Sequence, residues 1–403
     1  MIARVRGKGL DKVEFMLYRG LGEIYRSRLQ RPDMAVFSFE LAAKLDREDV
    51  KTHEILAQLY ELQDQKAKAI AEHRTLVSLE PERLESYRQM AVLQRSLGSD
   101  DDAWFSLAVL AMAGKLSSDE KKFFAGKQPA GLLTPQRSLD PGTWLKLVFS
   151  KVESVQVGEI FQTIYQAIGA YLEGRDPKDL GLKKKDEVDF KTKTIFTTVF
   201  NRVSQLTGIP VPRVYLSERA FGMRIEATIP PVLVIGKDML HGKSEKELAF
   251  IISKHLTYFH PMHLLAAAYP APVLKLLYQV AVRFVHPDAQ VEGADSEQFQ
   301  VLSQHLRKRI SPQLGTTLTT AIDEFYRRQK SPGINKWLTG VELTANHAGL
   351  LACLDLAVAA EALKQESIAF SKLPPREKAK EMVLFAVSEE FSELRKFLSL
   401  ELP

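Results

Sequence analysis

The sequence predicts a mostly α chain. A solenoid of stacked helix pairs fills the N-terminal third, and a largely helical α+β part with a small β-sheet follows. Three observations predict this. Small and large apolar residues recur with a step of 34 through residues 15–117. Apolar residues at helical spacing dominate downstream, interrupted by three short β-like runs between 210 and 235. Proline and glycine cluster between the two parts.

The repeat comes first. Ala35, Ala69 and Ala103 are 34 apart, and Phe39, His73 and Leu107 keep that step, as do Ala42, Leu76 and Leu110. Leu21, Leu56 and Met90 recur with steps of 35 and 34, followed by Gly22, Ala57 and Ala91 and by Tyr25, Tyr60 and Gln94. Small residues let two helices of a unit approach, and large ones fill the gap to the next unit. One unit cannot bury its apolar face, so about three must stack. Units over 15–48, 50–83 and 84–117 satisfy this. The pattern resembles the tetratricopeptide repeat, with its tryptophan position unfilled. The resemblance implies a concave face that binds protein partners. The residues expected on it are Arg19, Glu23 and Arg26 in the first unit, Glu54, Gln58 and Glu61 in the second, and Arg88, Val92 and Arg95 in the third. The competing expectation is that the units only cap the C-terminal domain.

The expected organisation is a solenoid over 1–126, a connection over 127–156 and a second domain over 157–403. Lys127-Gln-Pro-Ala-Gly, Pro135 and Leu139-Asp-Pro-Gly-Thr mark the connection. Helical patterning resumes at Trp144 and from Val157 to Leu172, and the charged stretch from Arg175 to Asp189 predicts an exposed loop.

Residues 191–208 predict an amphipathic helix stopped by Gly208. Short strands are expected near 210–216, 222–227 and 231–235. Ser244-Glu-Lys-Glu247 opens a helix with capping-box spacing. Residues 337–363 predict one long helix, and 378–398 a last one striped by Met382, Phe385, Phe391 and Leu394.

Two of these helices carry a second resemblance. Glu247-Leu-Ala-Phe-Ile-Ile-Ser-Lys254-His255-Leu-Thr-Tyr258 and Val341-Glu342-Leu-Thr-Ala-Asn346 resemble the zinc metallopeptidases of the CAAX-prenyl endoprotease and heat-shock membrane protease type. That family has His-Glu-x-x-His on one helix and Glu-x-x-x-Asp on the next. The resemblance covers roughly 191–363 and implies a degenerate site. Lys254 and Tyr258 stand at the two histidine ligands, His255 at the general-base glutamate, Glu342 at the third ligand and Asn346 at the following aspartate.

Such a site needs two imidazoles at i and i+4 plus a carboxylate. An ammonium beside a dication at about 4 Å and an effective dielectric near 20 is repelled by on the order of 8 kcal/mol. Without metal and base no water is activated. The expectation is therefore a pseudopeptidase with no catalytic residue, no metal and no cofactor, in which Lys254 pairs with Glu342 and Tyr258 donates a hydrogen bond nearby. His255, His260, His263 and His347, with Glu342, are the residues from which a rearranged zinc site would be built.

Composition narrows the remaining classes. The chain has 403 residues, 45% hydrophobic and 26% charged, ordinary values for a folded protein. Its single cysteine, Cys353, excludes a disulfide framework and reads as a buried thiol. Lys and Arg number 55 and Asp and Glu 50, a net charge of +5. Residues 1–126 hold 20 of each, so the excess (35 against 30) lies downstream, in clusters such as Arg307-Lys308-Arg309. That surplus is weak for nucleic acid, and none is expected as a partner. The apolar stretch from Leu264 to Val285 is broken by Pro270, Pro272, Lys275 and Arg283 and reads as core, so no membrane span is expected. No apolar leader follows Met1, which together with the lone thiol leads to an expected cytoplasmic location. No phosphate loop or nucleophile elbow occurs. The function expected is a non-catalytic interaction or scaffold protein. It would take protein partners on the repeat face or in the old cleft, and a homo-oligomer is open. The alternatives are a zinc endopeptidase with displaced ligands or a weakly basic nucleic-acid binder.

Overall fold

The computed structural model describes residues 11–172, 176–226, 228, 230–328, 333–366 and 371–402. The chain is mostly α with one small sheet, and its contacts divide it into two compact units.

The first unit is Met1–Pro129 with Val383–Ser392 and Glu401–Pro403. It holds three antiparallel helix pairs: α1 (Asp11–Glu23) with α2 (Pro32–Leu45), α3 (Val50–Leu62) with α4 (Lys66–Leu79), and α5 (Leu84–Ser96) with α6 (Asp100–Met112). This is a tetratricopeptide-like helical solenoid. The repeated positions explain it. Ala35, Ala69 and Ala103 have no exposed surface, and Phe39 lies so close to Gly22 that a Cβ there would sit 2.9 Å from its ring. The backbone repeats too. Gln30, Asp64 and Gly98, again 34 apart, all adopt positive φ, although only the last is a residue with no steric penalty there. Polar pairs tie helices together: Glu40 accepts from Tyr60 at 2.6 Å, and the buried Gln94 accepts from Ser106 at 2.8 Å.

The far end of this unit is closed by α7 (Ser118–Gly126), where Phe124 stacks on Trp104 at 4.5 Å. C-terminal residues close it further: Phe391 meets Phe105 edge-on at 5.1 Å, Ser392 donates to Asp102 at 3.0 Å, and Arg74 donates to the Val387 carbonyl at 2.9 Å.

The second unit is Ala130–Met382 with Glu393–Leu400. Its elements are α8 (Val155–Ile168), α9 (Ile195–Thr207), β1 (Val214–Leu216), β2 (Met223–Glu226), β3 (Val232–Ile235), α10 (Glu245–Thr257), α11 (Leu264–Ala268), α12 (Ala271–Val285), α13 (Glu297–Arg309), α14 (Pro312–Arg328), α15 (Ile334–Cys353) and α16 (Leu356–Lys364). Then come α17 (Pro375–Ala386) and α18 (Glu389–Leu398), which the division between units cuts. The sheet order is β1-β3-β2, with β1 parallel and β2 antiparallel to β3. Helix α10 packs lengthwise on α15. The contact is close because Gly349 carries no side chain: a Cβ would lie 2.8 Å from the Phe250 ring.

Several expectations are corrected. Residues 337–363 are two helices, not one. Leu354 adopts φ +49, and the Asp355 side chain caps α16 by accepting from Val358 N at 3.2 Å. Apolar spacing runs straight through that break, so periodicity hid it. Residues 378–398 are likewise two helices, because Ser388 caps α18 by accepting from Phe391 N at 3.1 Å. The stretch read as a connection buries Trp144 and Val148 in the second unit, and the Trp144 indole donates to the Thr207 carbonyl at 2.9 Å. The charged stretch before 190 is not wholly exposed, since Leu182 packs with Tyr215, Val232 and Val234; Arg175 lies outside the described residues. Residues 264–285 form α11 and α12 in the main core. No helix among the described residues is long and apolar enough to cross a membrane.

Candidate functional site

Helix α10 begins where the sequence predicts. Ser244 accepts from Glu247 N at 3.2 Å, and the Glu247 carboxylate accepts from Ser244 N at 2.8 Å. That start fixes the phase of the helix. Lys254 then points inward, 3% exposed, toward the fully buried Glu342 of α15.

Four charged groups meet there. Lys254 Nζ lies 3.6 Å from Glu342 Oε1 and 2.5 Å from Glu366 Oε1. Lys378 Nζ, from α17, lies 2.5 Å from Glu342 Oε1 and 3.2 Å from Glu366 Oε2. The second oxygen of Glu342 accepts from Ser371 N at 2.9 Å and from the Ser371 hydroxyl. Two ammonium groups thus face two carboxylates in a quartet of zero formal charge. A single buried ion would be prohibitive; paired ions are tolerated, best when hydrogen-bonded as Lys378 is to Glu342 and Glu366, whereas Lys254 Nζ is paired but makes no hydrogen bond of good geometry among the described residues. Burial lowers the pKa of Lys254, and the Glu366 and Glu342 charges oppose that. Burial raises that of Glu366, but Lys254 and Lys378 outweigh it and hold it below the usual carboxylate range.

The other expected site residues surround this quartet. His255 Nδ1 lies 2.8 Å from the Ile251 carbonyl, so that nitrogen carries a proton, and burial lowers the ring's pKa. Burial raises the Tyr258 hydroxyl well above its ordinary range, with Glu342 and Glu366 adding to it. Asn346 is fully buried, and neither of its amide atoms finds a hydrogen bond among the described residues.

The histidines of the rearranged set are engaged elsewhere. His263 sits between the Thr257 carbonyl (3.1 Å) and Glu153 (2.7 Å). His347 sits between the Val148 carbonyl (2.8 Å) and Glu381 (2.8 Å). Burial pulls His260 down to about 3. Among the described residues no three His, Cys, Asp or Glu side chains are placed to hold a metal ion. Cys353 is buried in α15, and burial pushes its thiol up to about 12.

Beside the quartet lies a cleft of about 850 Å³, bordered by β2, by Phe250, Ile251 and His255 of α10, and by Leu363 and Glu366. Register decides what β2 offers it. Gly236 N donates to the Gly222 carbonyl at 2.9 Å, while Leu233 N donates to Arg213 O and Ile235 O accepts from Ser217 N on the β1 side. Even-numbered residues of β3 therefore bond β2, and Arg224 and Glu226 face them. By antiparallel alternation, Met223 and Ile225 turn their N–H and C=O groups outward to the cleft. No other described strand pairs with that edge. Phe221, at the rim, is 72% exposed.

On the first unit, most of the expected groove residues are engaged in ion pairs, hydrogen bonds or ring contacts. Arg19 is 3.6 Å from Asp49, and Glu23 pairs with Arg26 at 3.0 Å. Glu54 pairs with Arg83 and Glu61 with His73. Arg88 reaches Glu120 at 2.9 Å and the Lys115 carbonyl at 2.8 Å, and Arg95 lies over the Phe123 ring. Gln58 and Val92 are exposed.

Sequence reasoning missed Glu366 and Lys378. Glu366 left no signal. Lys378 did: it stands four residues before Met382 and seven before Phe385, a charge on an apolar stripe.

No family model matches this chain, and no curated protein matches it. Among solved structures it is similar to the crystal structure of yeast Tom70, at 14% identity and a TM-score of 0.25. The match covers 92% of this chain and 63% of that one, so this chain spans less than two-thirds of that structure. A likeness this distant has no bearing on what this chain does.

Proposed function

We propose that this chain is a non-catalytic protein-binding scaffold. Its second unit is a metallopeptidase-like domain that holds an extended polypeptide along β2 without cleaving it, and its helix pairs offer a second protein-binding face. The observation that carries the reading is a juxtaposition. The quartet of Lys254, Glu342, Glu366 and Lys378 stands, on this reading, where a metal would sit, and beside it lies a cleft along a strand edge with which no other described strand pairs. An incoming segment gains main-chain hydrogen bonds from Ile225, since the Met223 backbone is already engaged by the His255 ring, and apolar side chains near Phe221 and Phe250 select among segments. Nothing in the arrangement activates water: Lys254 and Lys378 occupy the carboxylates, and His255 is neutral and already bonded.

The test is fluorescence anisotropy of the intact chain with labelled apolar decapeptides, using wild type and Ile225→Pro. Proline removes the outward donor of an edge strand and leaves the bonds to β3; because it also replaces a side chain packed on the core, Ile225→Val serves as the control that keeps the donor. The expected result is saturable binding, weakened about tenfold in Ile225→Pro, with no peptide cleaved. Equal affinity for wild type and Ile225→Pro, or cleavage abolished by a chelator, overturns the reading.

A further inference from the structure

A second concavity, separate from the cleft, lies between α12 and α13. Its volume is about 380 Å³. Arg283 enters from α12, and Ser303, Gln304, Arg307 and Lys308 enter from successive turns of α13, with Asp295 as the one carboxylate. Three cations against one anion leave a local surplus of two, in a chain whose whole surplus is five. Neither Arg307 nor Lys308 forms an ion pair among the described residues. The third member of the basic cluster is spent differently: the Arg309 guanidinium lies 3.5 Å from the Tyr171 ring centroid and donates to its hydroxyl at 2.6 Å. Arg283 is held in place by donating to the Ala289 carbonyl, which leaves its remaining N–H groups for a ligand.

We propose that this pocket binds a phosphate-bearing small ligand. Guanidinium forks suit phosphate oxygens, which accept several donors at once, and a surplus of two positive charges suits a dianion. The volume sits at the small end of ligand sites and admits a phosphate or pyrophosphate group with a short substituent. It does not admit a duplex. The basic cluster is thus a small-anion site rather than a nucleic-acid stripe. The same chemistry is found on a soluble phosphate ester and on a phosphomonoester lipid headgroup.

The experiment is calorimetric titration of the intact chain with inorganic pyrophosphate, for wild type, Arg307→Ser with Lys308→Ser, Lys308→Gln alone, and Arg327→Ser. Arg327 is exposed on α14 and lies outside the pocket. The expected result is saturable binding that weakens about tenfold in the double variant, less in Lys308→Gln, and not at all in Arg327→Ser. Absence of saturable binding overturns the proposal. So does equal weakening by Arg327→Ser, or a lowered melting temperature in both pocket variants with affinity unchanged, the result expected if these cations only complement the end of α13. Flotation with vesicles of phosphatidylcholine and phosphatidic acid then identifies the source. Flotation lost in the double variant assigns a lipid headgroup, and no flotation alongside pyrophosphate binding assigns a soluble ligand.

Discussion

Lys378 Nζ lies 2.5 Å from Oε1 of Glu342, closer than Lys254 Nζ at 3.6 Å. The cation closest to Glu342 therefore comes from α17, not from α10. Changes to α10 alone leave that cation beside Glu342.

Lys254→His, His255→Glu and Tyr258→His together recreate the zinc-binding spacing, yet this triple variant is expected to bind no stoichiometric zinc. Adding Lys378→Leu frees Glu342 and is expected to bring binding to about one zinc per chain. Metal analysis after dialysis checks both. Stoichiometric zinc in the triple variant would show that Lys378 yields to the metal.

Removing one member of the quartet should cost far more than replacing an exposed ion pair. Glu342→Gln leaves Lys254 and Lys378 sharing the single carboxylate of Glu366. Breaking a buried pair in this way costs about 3–5 kcal/mol. Urea unfolding measures it. A loss under about 1 kcal/mol, the range of exposed pairs, would mean the quartet is hydrated.

The pH dependence that His347 contributes has a definite sign. Both ring nitrogens of His347 face acceptors, the Val148 carbonyl and the Glu381 carboxylate, so the bound form is the imidazolium. Burial opposes that charge, but Glu381 outweighs it and raises the pKa above 6.5. His53 is raised likewise, first by its bond to Glu72. A group whose folded pKa is raised contributes fully below its unfolded value and loses that contribution as pH rises through the folded one. The contributions of His347 and His53 to the unfolding free energy are therefore expected to fall from pH 6 toward pH 9, against the rising contributions of His255 and His260, whose pKa values burial lowers, and His347→Gln should make the pH slope over that range more positive. An unchanged slope in the variant would remove His347 from the explanation.

Two glycines of the second unit should respond oppositely to alanine. A Cβ on Gly340 would lie 2.4 Å from the Glu153 Cα, whereas one on Gly315 meets nothing within 4 Å. Gly340→Ala is expected to destabilise by about 1–3 kcal/mol, and Gly315→Ala to stabilise by about 0.4–1 kcal/mol. Thermal melts of the two variants check this, and equal shifts would place the α15 contact with Glu153 wrongly.

The solenoid was legible because its positions recur. A fault in one unit is corrected by the next, and the small residues at 35, 69 and 103 state how closely the helices approach. Capping residues were legible where a local bond makes the boundary, as at Ser244 and Gly208. The breaks at Leu354 and Ser388 were hidden because buried apolar residues continue on both sides, and a change of direction leaves no mark in periodicity. The Lys254 and Glu342 pair could be anticipated from two helices of known order. Glu366 could not, because a loop carboxylate 112 positions from Lys254 is placed only by tertiary packing.

The most direct test is the metal content of the purified intact chain, with its melting temperature measured before and after chelation. The account predicts sub-stoichiometric zinc and an unchanged melting temperature, since lysines occupy both carboxylates. About one zinc per chain, with the melting temperature falling on chelation, would contradict it.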